Sequence, residues 1–121
     1  MTFDDWRQAL RQVSALNQAL PWVYGDLLNF GESKYGETYA QAMDETGLAY
    51  ETLAKYKKVA ARVQIGLRRP NLAFNHHVEV AFLPEDQQAE WLATAENQGL
   101  STRELREALA AAVPREPKGG A

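Results

Sequence analysis

The sequence contains no cysteine, only two histidines and no long apolar run. The absence of cysteine excludes a disulfide-stabilised scaffold, a cysteine-based zinc finger, a thiol nucleophile and a cysteine-ligated iron–sulfur cluster. No apolar stretch approaches the roughly 20 residues that span a bilayer, and the N-terminus has neither the basic start nor the apolar core of a signal peptide. We therefore expect a cytoplasmic protein that does not enter a membrane.

Residue groups that could carry catalysis are also scarce. Asp26 and Glu32 could be imagined as an acid–base pair, but no nucleophile and no phosphate-binding loop accompanies them. His76 and His77 are adjacent in sequence, so on a helix they point about 100° apart and cannot share one metal ion. Their expected role is to cap or pack a short helix. We predict no enzyme activity, no metal site and no cofactor.

The composition favours an all-α fold. Alternation of β-branched with polar residues is absent, whereas alanine, leucine, glutamine and glutamate recur along the whole chain. Hydrophobic residues make up 45% of the sequence, which is enough to build a core. We predict a single all-helical domain over residues 1–113, followed by a flexible tail over 114–121.

Helix boundaries follow from proline, glycine and capping residues. We expect Pro21 to end a first helix that begins near Phe3, and a second helix to follow from Trp22. The loop from Gln64 to Leu72 is the only candidate boundary inside the chain, because it contains a glycine and a proline. The three tryptophans are expected in the core, although an exposed one could serve a dimer interface.

Charge is distributed very unevenly along the sequence. The net charge of −3 comes from thirteen basic and sixteen acidic residues. Six of the basic residues and none of the acidic ones lie between Lys55 and Arg69, whereas residues 71–98 contain five acids and no lysine or arginine. Because attraction to phosphate is local at physiological salt, the basic segment can bind DNA despite the negative total.

Two glycine turns each predict a helix-turn-helix unit, the first over residues 37–63 and the second over 85–113. An apolar residue follows each glycine, and another stands six positions after it: these are Leu48 and Leu53 in the first unit and Leu100 and Leu105 in the second. This spacing suits a close helix crossing with a buried anchor for the second helix, as in DNA-binding proteins. The second unit fits better, because alanine stands four residues before its glycine.

Charge distinguishes the two units. A recognition helix needs short polar groups for base edges and flanking basic groups for phosphates, and the first unit supplies both. The residues predicted to contact DNA are Tyr50, Glu51, Thr52, Lys55, Lys57, Lys58, Arg62, Arg68 and Arg69. The second unit offers a possible second DNA contact at Ser101, Thr102, Arg103 and Arg106, but its nearby acids favour a structural or protein-binding role. A solvated basic face remains the alternative for the first unit.

Several sequence stretches resemble a bacterial family of small DNA-binding regulators that includes LmbU-type antibiotic-cluster regulators. The similar stretches are Trp22–Glu32, Tyr35–Tyr39, Thr46–Ala60 and Arg69–Ala81. The closing part, from His77 to Leu105, is similar to the helical DNA-binding region of ParB/KorB-type partition proteins. These resemblances imply sequence-specific binding to DNA in a transcriptional, plasmid or phage context.

The hypothesis is therefore a nucleoid-associated transcriptional regulator that binds double-stranded DNA. We expect a homodimer, because one short recognition helix reads only a few base pairs. The alternative is a protein-interaction module, such as a phage or plasmid adaptor or inhibitor that binds a host protein through the acidic face over residues 71–98.

Overall fold

A computed structural model describes residues 1–112 and confirms the all-α class, with six α-helices and no strand in that range. The predicted tail at 114–121 lies outside the described residues. The helices are α1 (Phe3–Tyr35), α2 (Tyr39–Thr46), α3 (Tyr50–Arg62), α4 (Phe74–Val80), α5 (Glu85–Gln98) and α6 (Thr102–Ala112), and a short 3₁₀ turn, Ile65–Leu67, follows α3.

Helix α1 is continuous through Pro21, so the predicted break at that proline is wrong. Proline removes one hydrogen-bond donor and strains the preceding turn, but its φ angle of about −65° is itself helical. Favourable interactions stabilise the helix on both sides of the proline. Thr2 and Asp5 form a capping box at the N-terminus, and the segment after Pro21 packs on α3.

The chain divides into two compact units, Met1–Pro70 and the part from Asn71 onward. This division falls inside the loop from Gln64 to Leu72 that the sequence marks as a candidate boundary. We call the parts the N-terminal unit and the C-terminal unit and describe each by itself.

The N-terminal unit is built around the crossing of α1 and α3. Gly25 of α1 is buried at this crossing, where a Cβ atom would overlap the Tyr56 carbonyl oxygen and lie 2.6 Å from the Ala60 Cβ. Leu28 of α1 and Leu53 of α3 are buried in the same unit. The glycine therefore permits an approach of the two helices that any larger residue would prevent.

The first twenty residues lie outside this core, since every residue from Met1 to Leu20 is exposed. Trp6 is 49% exposed, so its predicted place in the core is wrong. Helical periodicity showed that this side chain belongs to an apolar face, but periodicity alone does not tell what covers that face.

The C-terminal unit packs α4, α5 and α6 around its own apolar core. Trp91 packs against this core, in agreement with its predicted role. The buried core side chains are Leu72, Val80, Leu83, Leu92, Ala95, Leu105 and Leu109. Gln88 is also buried, and its Nε2 donates a hydrogen bond to the Leu83 carbonyl oxygen at 2.9 Å.

Candidate nucleic-acid interface

Helices α2 and α3 are joined by the turn that the first glycine predicts. Gly47 has a φ angle of 72°, in the left-handed region that favours glycine, and its amide donates a hydrogen bond to the Met43 carbonyl oxygen. Leu48 is half-buried and Leu53 has no exposed surface. The predicted turn and its buried anchor are therefore present, and they fix the start of α3.

The outer side of α3 carries a row of charged side chains. Glu51, Lys55, Lys58 and Arg62 are all exposed. They follow one another at intervals of four, three and four residues, which places them on one face of a helix. The opposite side is buried and comprises Leu53, Val59, Ala60 and, just after the helix, Val63. We call the four exposed residues the α3 charged row.

Tyr50 and Thr52, the other residues predicted near bases, flank this row. Tyr50 is 49% exposed, and its ring packs edge-to-face on Tyr39 of α2, with ring centroids 4.8 Å apart. Thr52 is half-buried. Both lie in the first turn of α3, close to the helix N-terminus.

Lys57 points away from the α3 charged row. Its ammonium pairs with Glu32 of α1 and lies 6.0 Å from the centroid of the Tyr39 ring. The hydrogen bond that Lys57 donates to the Glu32 carboxylate raises the pKa of Lys57 above its ordinary value. Burial is the main cause that raises the pKa of Tyr39. The amino group of Lys57 thus joins α1 to α3.

Arg68 is engaged in the interior of the N-terminal unit. Its guanidinium donates two hydrogen bonds to the Asp26 carboxylate, at 2.8 and 2.9 Å, and stacks 4.2 Å from the Trp22 ring centroid. It also donates to the carbonyl oxygens of Val63 and Ala60. The side chain is only 13% exposed. The neighbouring Arg69 is half-buried.

These contacts also account for the two acids considered as an acid–base pair. Asp26 binds Arg68 and Glu32 binds Lys57, so each carboxylate takes part in an ion pair of the N-terminal unit. The sequence did not reveal either pair, because the partners are far apart along the chain. The signal that would have revealed these ion pairs is the presence of an acid on a neighbouring helix, which only the folded structure shows.

The second glycine turn has the predicted geometry as well. Gly99 has a φ angle of 64°, and the next residue, Leu100, packs against the core. Ser101 and Glu104 form a capping box at the start of α6: the Ser101 Oγ accepts from the Glu104 amide at 3.1 Å, and Glu104 Oε1 accepts from the Ser101 amide at 2.8 Å. These hydrogen bonds lower the pKa of Glu104.

The two arginines of α6 face acids rather than an open basic surface. Arg103 donates to Glu107 at 3.1 Å, one turn further along the same helix. Arg106 donates to both carboxylate oxygens of Glu79 on α4, at 3.0 and 3.3 Å, which raises the pKa of Arg106. Both arginines are exposed, and the side chain of Thr102 is half-buried.

The adjacent histidines have different structural roles. The Nδ1 atom of His76 accepts from the Ala73 amide at 3.1 Å, and its Nε2 lies 2.8 Å from the Leu100 carbonyl oxygen, to which it donates. His77 is fully buried, with Nδ1 2.9 Å from the Ala73 carbonyl oxygen. The expected capping and packing roles are thus confirmed. Within residues 1–112, no group of three or more histidine, aspartate or glutamate side chains could hold a metal ion.

None of the described helices combines the length and the hydropathy that crossing a membrane requires.

Comparison with known proteins gives one informative relative. No family model matches the chain, and no solved structure matches it. Over 113 residues, or 93% of its length, the chain is 37% identical to Transcriptional regulator NovE of Streptomyces niveus. It spans 52% of the length of that relative. The chain is therefore similar, over nearly all of its own length, to about half of a protein named as a transcriptional regulator.

Proposed function

We propose that the chain is a sequence-specific, DNA-binding transcriptional regulator that places α3 in the major groove. The observation that carries the proposal is the α3 charged row, in which three basic side chains stand on the exposed face of a helix that a glycine turn positions. A row of lysine and arginine on the second helix of such a unit suits the phosphates that border a groove.

The N-terminal end of α3 supplies groups for base edges. Glu51 is exposed at the start of the charged row, and its carboxylate can accept from a cytosine amino group. Tyr50 and Thr52 flank it in the same turn. Lys55, Lys58 and Arg62 follow along the helix and bind phosphates. We expect sequence discrimination from the first turn of α3 and most of the affinity from the three basic residues.

The role proposed for two of the basic residues changes with the structure. Arg68 and Lys57 are held by Asp26 and Glu32, and a phosphate would have to compete with these carboxylates. We propose that both residues hold the α3 region against α1 and do not bind DNA. Arg69 stays a candidate phosphate contact at the end of the basic segment.

The name of the relative and the resemblance to LmbU-type regulators both support regulation of transcription. A function like that of ParB/KorB-type partition proteins is supported only by the sequence resemblance of the C-terminal unit. There, the proposed second DNA contact at Ser101, Thr102, Arg103 and Arg106 is weaker than the first, since both arginines pair with acids.

One observation favours protein binding by the C-terminal unit. Helix α5 opens with exposed Glu85 and Asp86 and carries exposed Glu90 on the next turn. Residues 71–98 contain five acidic residues and no lysine or arginine. This acidic surface would repel DNA and could bind a basic protein segment, so a regulator could contact DNA through one unit and a protein through the other.

Selection of bound sequences by the purified protein tests the proposal. We expect a defined motif to be enriched from fragmented genomic DNA. Glu51→Ala and Thr52→Ala should relax the preference at one or two positions of that motif. Lys58→Ala should weaken binding to every sequence and flatten its salt dependence.

Two outcomes would contradict the proposal. One is enrichment of no motif together with binding that does not depend on salt. The other is the recovery of one stoichiometric protein partner without any retention of DNA, which would favour the protein-interaction alternative.

A further inference from the structure

Helix α1 exposes an apolar stripe along most of its length. Nine large hydrophobic side chains form it, each between 36% and 69% exposed. They are Phe3, Trp6, Leu10, Val13, Leu16, Leu20, Val23, Leu27 and Phe30. Soluble proteins rarely leave a continuous apolar surface of this kind uncovered, and a stripe of this length indicates an interaction surface.

From Phe3 to Leu20, the stripe follows the heptad repeat of a coiled coil, with Leu16 beside the core position at Asn17. In this segment positions 3, 10 and 17 can be assigned as a, and positions 6, 13 and 20 as d. Five of these six positions are aromatic or aliphatic, and the sixth is Asn17. The next a position would be Tyr24, but its ring stacks on Tyr56 of α3, so the repeat ends before it. A repeat of 3.5 residues keeps such positions in line only if the helices supercoil left-handedly around each other.

Asn17 indicates the kind of assembly. A single asparagine at an a position is tolerated where it can pair with the same residue of a second, parallel helix, and it selects two strands and one register. In an antiparallel pair, a positions face d positions, so Asn17 would face an apolar side chain. The asparagine therefore favours a parallel pair of identical helices.

The first part of α1 also needs a partner for its own stability. None of the residues from Met1 to Leu20 is buried, so no tertiary packing within the described part of the chain supports this segment. In proteins, most of the stability of a helix comes from packing of its amphipathic face rather than from helix propensity. Pairing with a second helix would provide the missing burial.

The size of the stripe is sufficient for a stable dimer. An aromatic side chain offers on the order of 150–250 Å², and leucine or valine offers somewhat less. At the exposed fractions given above, the nine residues present on the order of 800 Å². A standard protein interface buries about the same area on each partner.

The polar side of α1 argues against a lipid surface as the partner. Amphipathic helices that bind membranes have a polar face rich in lysine and arginine. Between Phe3 and Leu20, the charged residues are Asp4, Asp5, Arg7 and Arg11, so the charges cancel.

We propose that this stripe binds a second copy of the chain, as a parallel two-stranded coiled coil with Asn17 against Asn17. The assembly would carry two copies of α3, related by a two-fold axis, and would suit a DNA site with two half-sites. The dimer is independent of the proposed DNA binding, because the interface lies on α1 and can be measured without DNA.

Oligomeric mass in solution tests the interface. We expect wild-type protein to be a dimer at micromolar concentrations. Val13→Glu combined with Leu20→Glu should raise the dimer dissociation constant by about 100-fold or more, since each factor of ten needs only about 1.4 kcal/mol. Gln12→Glu combined with Gln18→Glu adds the same charge on the polar side of the same helix and should leave a dimer. Circular dichroism should show lost helicity only in the first variant.

The lack of native cysteine allows a direct test of orientation. Leu10→Cys should form a disulfide-linked dimer on mild oxidation, because equivalent a positions face each other only in a parallel pair. A Gln8→Cys variant on the polar side should remain unlinked.

Three results would overturn the proposal. They are a monomeric wild type at micromolar concentrations, a dimer that both glutamate variants retain equally, and a monomer that binds lipid vesicles through α1. Failure of DNA binding with an intact dimer would affect only the proposed function.

Discussion

At the scale of single residues, the basic segment from Lys55 to Arg69 contains side chains of two kinds. Lys58 is exposed on the α3 charged row, whereas Lys57 and Arg68 are held by acids of α1. The sequence revealed the concentration of positive charge but not this division. The reason is that the division depends on two acids of α1, a helix that is distant in sequence.

Replacing Arg68 should therefore affect stability. Arg68→Ala removes two hydrogen bonds to the Asp26 carboxylate and should lower the free energy of unfolding by about 2 kcal/mol. Lys58→Ala, on the exposed row, should change it by less than about 0.5 kcal/mol. Urea denaturation measures both values. Equal effects of the two substitutions would contradict the assigned roles.

Gly25 and Gly31 offer a matched pair within α1. Gly25→Ala should destabilise the N-terminal unit by about 1–3 kcal/mol, because the new methyl group overlaps α3. Gly31→Ala meets only the Thr38 hydroxyl at 3.5 Å, an ordinary contact, and should be neutral or stabilising by up to about 1 kcal/mol. Thermal denaturation of the two variants gives the comparison, and similar melting temperatures would argue against the close crossing.

At the scale of elements, local signals located most helix ends. Gly47 and Gly99 form the two predicted turns, and the first helix begins at Phe3 as predicted, with Thr2 as its cap. The helix break predicted at Pro21 was wrong because the energetic cost of the proline was compared with local helix propensity alone. Packing of the following segment on α3 and the cap at Thr2 support the helix on either side of it.

The capping box of α6 gives a prediction for stability. Ser101→Ala removes the acceptor of the Glu104 amide and should cost about 1 kcal/mol. Ser101→Asn keeps a side-chain oxygen at the cap and should restore most of the stability. Thermal denaturation of the three proteins tests this expectation. Equal melting temperatures for the alanine and asparagine variants would show that the cap does not stabilise α6.

The same capping box predicts a dependence on pH. The pKa of Glu104 is lowered by its hydrogen bonds to Ser101, so the folded state favours the carboxylate. The resulting stabilisation is present above the ordinary glutamate pKa of about 4.3 and is lost as the pH falls through the lowered value. The difference in melting temperature between wild type and Glu104→Gln should therefore shrink on acidification. Glu90→Gln, outside the capping box, is the control.

At the scale of the whole molecule, the net charge of −3 hides two regions of different charge. The N-terminal unit carries the three basic side chains of the α3 charged row, and the C-terminal unit carries the acidic helix α5. The sequence predicted the all-α class, both glycine turns and most of the charged row, because helical periodicity and turn chemistry are local. It could not predict that the face with Trp6, Leu10 and Val13 stays uncovered. Periodicity identifies an apolar face but does not show its partner.

The most direct test of the central claim is the salt dependence of DNA affinity for two variants of equal charge. Lys55→Gln with Lys58→Gln should reduce the slope of log K against log salt by roughly 0.9 for each phosphate that is no longer neutralised. Arg11→Gln with Lys34→Gln removes two exposed basic residues of α1 and should leave the slope nearly unchanged. The same slope for wild type and both variants would contradict DNA binding through α3.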